Sequence, residues 1–287
     1  MPFMASASRF LPSTFKPTDP IAIIAGKGRY PALIAEVALQ KGVPVKLVAF
    51  EDETDPALIA RFSEKDRRNV PVGKLGTLLD SLSSLGAKGA VMAGQVTPRK
   101  LFSGMVPDFQ LVALLASLKE RNAETIFGGI ASEIEKLDIK MLDARVFLDD
   151  HLVTAGCLTG WSCGINDEEL SFGTRMAREM ARLDIGQSVV TAKGTVIAVE
   201  AFEGTDQMLK RCAATGGKNM LLIKTSKYQQ DFRFDVPCFG LRTLESMAEG
   251  GVHKAALEVD GVILIDKPAV IQRAKQLDID LLGFSAS

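Results

Sequence analysis

Regular patterning of the chain begins at Ile21, where five apolar residues run to Ala25 and stop at a glycine. A run this short, with no polar side, predicts a strand buried on both faces. Leu33, Ile34, Val37 and Ala38 then recur at helical spacing behind Pro31. Proline suits a first helical position, because its missing N–H would have no partner there. Gly42 is placed to end this helix, and residues 45 to 50 predict a second strand. The alternation continues with a helix from Leu75 to Leu85 and a strand from Gly89 to Ala93. Two helices are expected from Leu111 to Lys119 and from Glu124 to Leu137, then a short strand from Ile139 to Leu142.

Strands and helices alternating through short connections predict a parallel sheet with helices on both faces. From His151 to Asn166 the pattern lapses, with Gly156, Gly160 and Gly164 among small residues. This stretch is expected to join two domains. Beyond it come a helix from Glu168 to Leu183 and strands at 188 to 190 and 196 to 200, with a hairpin turn at Lys193–Gly194. Helices are expected from Thr205 to Ala214, Thr243 to Gly250 and Lys267 to Leu277, with strands at 220 to 223, 255 to 258 and 262 to 265. The hairpin makes the second sheet mixed. The fold class expected is therefore α/β: a flexible arm over 1–17, a Rossmann-like parallel-sheet domain over 18–150, a connection over 151–166, and a C-terminal α/β domain with a mixed sheet over 167–287.

Composition narrows the function. Of 287 residues, 47% are hydrophobic and 24% charged, ordinary for a soluble globular chain. The net charge of -1 supplies no basic field, which argues against nucleic acid as a partner. Cys157, Cys163, Cys212 and Cys238 lack the spacing of a zinc site, and only His151 and His253 could assist them. Scattered free thiols fit a reducing cytoplasm. No apolar run reaches the ~18 residues needed to span a bilayer. The first twenty residues lack a signal-peptide core, and Pro12 and Pro17 break any regular helix there.

Five segments carry candidate chemistry. Gly26, Lys27, Gly28 and Arg29 form a glycine-rich turn between strand and helix, where backbone N–H groups and a helix N-terminus can meet phosphate. Proline stands where the dinucleotide fingerprint has its third glycine, so a tight turn with two solvated cations is the competing reading. Gly94 and Gln95 follow the third predicted strand and leave room for a ligand in the same crevice. Gln187, in Asp184-Ile185-Gly186-Gln187-Ser188-Val189-Val190, offers a donor and an acceptor for a base or sugar, or for a turn. Glu200, Glu203, Thr205 and Asp206 gather where a strand runs into a helix, and a carboxylate flanked by Val199 and Ala201 is costly if buried unpaired. The fifth segment is Gln230-Asp231-Phe232-Arg233-Phe234-Asp235-Val236-Pro237. If extended, it places Asp231, Arg233 and Asp235 on one face. Two carboxylates there can bind a hard cation or activate water, with Arg233 on phosphate oxygens, or the three can form a solvated ion-pair row.

Taken in order, Gly26-Lys27-Gly28, Val91-Met92-Ala93-Gly94, Asp184-Ile185-Gly186-Gln187, Glu203-Gly204-Thr205-Asp206 and Gln230-Asp231 with Arg233-Phe234-Asp235-Val236-Pro237 resemble the LpxI family of UDP-2,3-diacylglucosamine pyrophosphatases. The resemblance runs from about Ile21 to Phe284. It implies cytoplasmic hydrolysis of UDP-2,3-diacylglucosamine to UMP and 2,3-diacylglucosamine 1-phosphate (lipid X), in lipid A biosynthesis, with Mg2+ as cofactor. It also implies transient contact with the inner membrane surface. The expected catalytic residues are Asp231, Asp235 and Arg233. The expected metal ligands are Asp231, Asp235, Glu200, Glu203 and Asp206. Substrate contacts are expected from Gly26, Lys27, Gly28, Arg29, Gly94, Gln95, Gln187, Thr205 and Gln230. The alternatives are an NAD(P)-dependent oxidoreductase and a nucleotide- or lipid-binding regulator without turnover.

Overall fold

A computed structural model describes residues 8–16, 18–96, 106–120 and 122–285. The chain divides into two compact units. The first holds the described residues up to Asp149 together with Phe232–Asp235; the second holds Asp150–Asp231 and the chain from Val236 on.

In the first unit, β1 (Ile21–Ala25), β2 (Val45–Phe50), β3 (Arg67–Val70), β4 (Gly89–Ala93) and β5 (Lys140–Met141) form one sheet in the order β3-β2-β1-β4-β5. Every pairing is parallel, and Ile23 lies opposite Leu47 on one side and Val91 on the other. All five residues of β1 and of β4 are buried, as their unbroken apolar runs require. The helices are α1 (Arg29–Gln40), α2 (Pro56–Ile59), α3 (Leu75–Ser84), α4 (Phe109–Ser117) and α5 (Ala123–Glu135). Leu78, Leu82, Leu114, Ala131 and Ile134 bring α3, α4 and α5 onto a core that also holds Ile24 and Val48. Asp108 starts α4 by accepting from the Leu111 N–H at 2.9 Å, and Asn122 starts α5 by accepting from the Thr125 N–H at 2.9 Å. Helix α1 begins at Arg29 behind Gly28, whose φ of 96° needs glycine, so Pro31 is its third residue rather than its first.

The second unit contains β6 (Gly156–Cys157), α6 (Asp167–Arg182), β7 (Ser188–Ala192), β8 (Thr195–Val199), α7 (Thr205–Cys212), β9 (Leu221–Lys224), β10 (Cys238–Phe239), α8 (Leu241–Gly250), β11 (Lys254–Glu258), β12 (Ile263–Leu264), α9 (Lys267–Gln276) and β13 (Asp280–Phe284). Its main sheet runs β6-β13-β11-β9-β7-β8 and is mixed, as the hairpin predicted. Strands β9, β11 and β13 are parallel, while β7, β8 and β6 join antiparallel.

Four expectations need correction. The described part of the arm packs down: Phe15 is buried, the Arg9 N–H donates to Asp149 at 3.0 Å, and Arg9 and Arg145 both lie over the Phe10 ring. The remainder of 1–17 falls outside the described residues. The stretch 151–166 is part of the second unit, because β6 extends the sheet by pairing with β13. Cys157 and Cys163 are joined by a disulfide, leaving Cys212 and Cys238 as the free thiols. Strand β13 went unpredicted, although it supplies the partner for both β11 and β6.

Candidate active site

In the first unit the glycine turn and the Gly94 turn are stitched to each other. The Gly26 N–H donates to the Ala93 carbonyl (2.8 Å), the Lys27 N–H to the Gln95 carbonyl (2.7 Å), and the Gln95 N–H to the Lys27 carbonyl (3.2 Å). These three amides are therefore committed and cannot also cradle a phosphate. Side chains tell the same story. Lys27 forms an ion pair at 3.6 Å with Glu53, which is buried. Arg29 makes a two-pronged contact with Glu36 (2.8 and 2.6 Å), and Arg61 adds a third contact at 2.5 Å. The Arg29 hydrogen bond, helped by Arg61, outweighs burial and holds the Glu36 carboxyl down to about 2. The expected phosphate cations thus hold acids of their own unit. The stitch also explains the glycines. A Cβ on Gly94 would meet the Lys27 carbonyl oxygen at 2.5 Å, at a φ of 86° that disfavours any side chain. Gly94→Ala is expected to lower stability by ~2 kcal/mol, from overpacking and strain together, read as a lower urea midpoint. An unchanged midpoint would show that the two turns part easily.

In the second unit, two of the flagged segments meet at the carboxyl end of β9. Lys224, which ends that strand, is buried, and its ammonium donates to Ser188 Oγ (3.1 Å) and Thr205 Oγ1 (3.1 Å). It lies 3.8 Å from Glu200. The Thr205 hydroxyl donates to Glu200 Oε1 at 2.6 Å. Burial alone would raise the Glu200 pKa. The Lys224 charge, with hydrogen bonds from Ser188 and Thr205, outweighs burial and keeps the carboxyl below its ordinary value. Gly186 lets its loop close over this cluster, since a Cβ there would meet the Glu200 carbonyl oxygen at 2.2 Å. Gln187 offers its backbone carbonyl to the Thr225 N–H at 3.0 Å.

A second buried carboxylate holds the next residues. Glu258 ends β11 and accepts from the Thr225 hydroxyl (2.7 Å), the Ser226 N–H (2.5 Å) and the Ser226 hydroxyl (2.8 Å). Lys227 is ion-paired with Asp184. The Gln230 side chain folds back so that its Oε1 accepts from the Lys227 N–H at 2.9 Å. The chain leading into Asp231 is therefore fixed at each residue from Lys224 to Lys227, and again at Gln230. Sequence reasoning missed Lys224, Ser226 and Glu258, and gave Ser188 no role of its own. The available signal was a charged residue closing an otherwise apolar buried strand, as in Leu221-Leu222-Ile223-Lys224 and Ala255-Ala256-Leu257-Glu258.

The acidic ligand set does not assemble. Glu203 is bound by Arg211 at 2.6 Å, Asp206 by Arg242, and Glu200 by Lys224 and Thr205. Among the described residues, no three acids, histidines or cysteines stand close enough to share an ion. Residues 232–234 form a turn rather than an extended strand, so the shared face of Asp231, Arg233 and Asp235 is not formed. Phe232 lies under the Arg145 guanidinium (3.5 Å to the ring centre), and its carbonyl accepts from the Ala144 N–H at 2.7 Å. Phe234 stacks on Phe127 of α5 at 6.1 Å. Both aromatics anchor the segment. Arg233, however, reaches Glu135 at 3.3 Å instead of facing a substrate phosphate. Asp231 and Asp235 are half-buried and flank this turn.

Comparison with known proteins decides the family. The LpxI N-terminal domain description matches residues 20–151, and the LpxI C-terminal domain description matches residues 154–282. The chain belongs to the LpxI family. It is 30% identical over 275 residues to the UDP-2,3-diacylglucosamine pyrophosphatase LpxI of Caulobacter vibrioides, covering 92% of this chain and 96% of that protein. The LpxI domain boundary falls between residues 151 and 154, a few residues after the first unit gives way to the second at Asp149–Asp150. No helix among the described residues is long and apolar enough to cross a membrane.

Proposed function

We propose that the chain hydrolyses the pyrophosphate of UDP-2,3-diacylglucosamine, giving UMP and 2,3-diacylglucosamine 1-phosphate, a step of lipid A biosynthesis. The observation that carries this reading is likeness to a pyrophosphatase of that name along nearly the full length of both proteins. The committed amides of Gly26, Lys27 and Gln95 speak against the dinucleotide cradle an NAD(P) oxidoreductase needs. In this reading Asp231 is the reactive carboxylate, positioned by the ties from Lys224, Thr225, Ser226 and Gln230, and it orients the attacking water. Magnesium commonly binds through one or two carboxylates plus substrate phosphates, so Asp231 without a protein-only cage is enough to hold it. When bound, Mg2+ would neutralise charge on the pyrophosphate oxygens. The enzyme works in the cytoplasm, and a lipid substrate brings it to the inner membrane surface. On α4, the 85% exposed Phe109 is an apolar residue on offer for that contact.

The test is incubation of purified protein with UDP-2,3-diacylglucosamine, with and without Mg2+, followed by mass analysis of products. UMP and lipid X are expected only with metal. Full activity after exhaustive chelation would remove magnesium from the mechanism. Substrate bound indefinitely in magnesium would identify a binding protein instead.

A further inference from the structure

Between the end of β9 at Lys224 and the start of β10 at Cys238 the chain has neither helix nor strand, and Asp231 lies on this excursion. The chain leaves the second unit after Asp231 and rejoins it at Val236. Without a ladder of backbone bonds, such a segment is placed by whatever holds its two ends. Both holds come from one short stretch, the end of β11 and the turn into β12. At the departing end, Oε2 of Glu258 accepts from the Thr225 hydroxyl, the Ser226 N–H and the Ser226 hydroxyl. At the returning end, the Ile263 N–H donates to the Pro237 carbonyl at 2.9 Å, and Cys238 then pairs with Ile263. Glu258 is buried, and no ion pair joins it among the described residues. A carboxylate in that setting is costly unless donors meet its charge, and all three donors lie on the two residues that open the excursion. Gly261 leaves room for them, since a Cβ there would come within 3.0 Å of the same oxygen and 3.1 Å of Ser226 Oγ.

We infer that Glu258 is a positioning residue for the reaction, and that the clamp it forms with Thr225 and Ser226 sets where the Asp231 carboxylate stands. Its oxygen is taken up by three donors and shielded from water, so it acts through the segment and not on the substrate. The role in catalysis rests on the hydrolase reading with Asp231 as its reactive group, whereas the clamp is a property of the fold alone.

The test compares full-length wild type with Glu258→Gln, which keeps the side chain's shape and removes its charge. Misplacing a reacting group by about 1 Å can cost on the order of 100-fold in rate. Glu258→Gln is therefore expected to lower kcat for UDP-2,3-diacylglucosamine at least ~10-fold and to leave KM within about twofold. Amide exchange at Ser226 should quicken at least ~10-fold, with β9 and β11 exchanging as in wild type. In an Asp231→Ala background, adding Glu258→Gln should slow turnover by less than about twofold, because the group it places is gone. If Glu258→Gln fails to fold, Ser226→Ala, which removes one of the three bonds, takes its place. Wild-type kcat in the folded variant overturns the positioning role, as does a loss that multiplies with that of Asp231→Ala. Faster exchange throughout the second unit marks a general loss of structure and overturns it as well. A wild type that never hydrolyses the nucleotide lipid overturns the hydrolase reading, and Ser226 exchange unmoved by Glu258→Gln overturns the clamp, so the two failures are told apart.

Discussion

Asp231→Ala is expected to leave a folded protein that binds substrate and turns it over at least ~100-fold more slowly, the usual scale for losing a positioned acid–base group. The expectation comes from what holds this residue and what does not depend on it. The chain reaching Asp231 is fixed by Lys224, by Glu258 through Thr225 and Ser226, and by the Gln230 fold-back onto Lys227. The chain leaving it is fixed by Phe232 under Arg145 and Phe234 against Phe127. None of these contacts uses the Asp231 carboxylate, so each of them remains when it is removed. Asp235→Ala is expected to cost less, because Asp235 lies on the far side of the turn, beside Val236 and Pro237. Steady-state kcat, together with substrate affinity from equilibrium binding, separates the two. Near-normal turnover in Asp231→Ala, with a large loss in Asp235→Ala, would exchange the roles. Near-normal turnover in both would remove this segment from the reaction.

Lys224→Met is expected to destabilise the protein by ~3 kcal/mol, and Glu200→Gln introduced beside it to restore at least half of that loss. Both side chains are nearly out of water, with exposures of 7% and 15%. Removing one member of a buried pair strands the other, which costs more than the pair itself is worth. In Lys224→Met the Glu200 carboxylate keeps its burial and loses its counter-charge. The glutamine of the double variant still accepts from the Thr205 hydroxyl and carries no charge to strand. Urea midpoints of the single and double variants form the cycle, and simple additivity of the losses would show that the pair is not coupled. The pH dependence has a definite sign. In wild type the Glu200 pKa lies below its ordinary value of 4.5. Its stabilising contribution is therefore complete above that value and is lost as pH falls through the folded-state pKa. In Lys224→Met, burial loses its main opposing charge and is resisted only by hydrogen bonds, so the folded-state pKa rises and acid relieves the penalty. The stability gap between wild type and Lys224→Met should narrow as the pH falls below 4.5.

The parts of the fold that were legible are those whose burial is written in consecutive residues. Strands β1 and β4 are unbroken apolar runs, α3 shows Leu75, Leu78 and Leu82 on one side, and the β7–β8 hairpin turns at Lys193–Gly194. What stayed hidden depends on partners distant in sequence. Strand β3 opens with two arginines at a sheet edge and gives no apolar signal. Residues 151–166 read as a linker because three glycines fall among small residues there, yet β13 and the Cys157–Cys163 bond give them structure. The same reason governs the site. Glu200 and Thr205 were both singled out, and they bond to each other; the strand that would bury Glu200 was visible. That Glu203 and Asp206 serve Arg211 and Arg242 was not visible, because the arginine that binds Asp206 lies 36 residues away. Charge spacing along the chain shows which acids can gather, and only tertiary structure shows which cations reach them first.

Four residues far along the chain, Phe232–Asp235, complete the first unit. On a ribosome the two halves are therefore not made one after the other. Residues up to Asp149 emerge with α5 and the Arg145 turn in place, but Phe127 and Arg145 must wait for roughly another eighty residues of synthesis before Phe234 and Phe232 arrive to cover them. By then β7, β8 and β9 have already left the exit tunnel. A fragment ending near residue 150 would hold every strand of the first sheet and still lack its aromatic plug. It should bind hydrophobic dyes and aggregate where the whole chain does not. Supplying residues 228 to 238 as a separate peptide should quench that stickiness, which makes this half of the enzyme a natural target for complementation in trans.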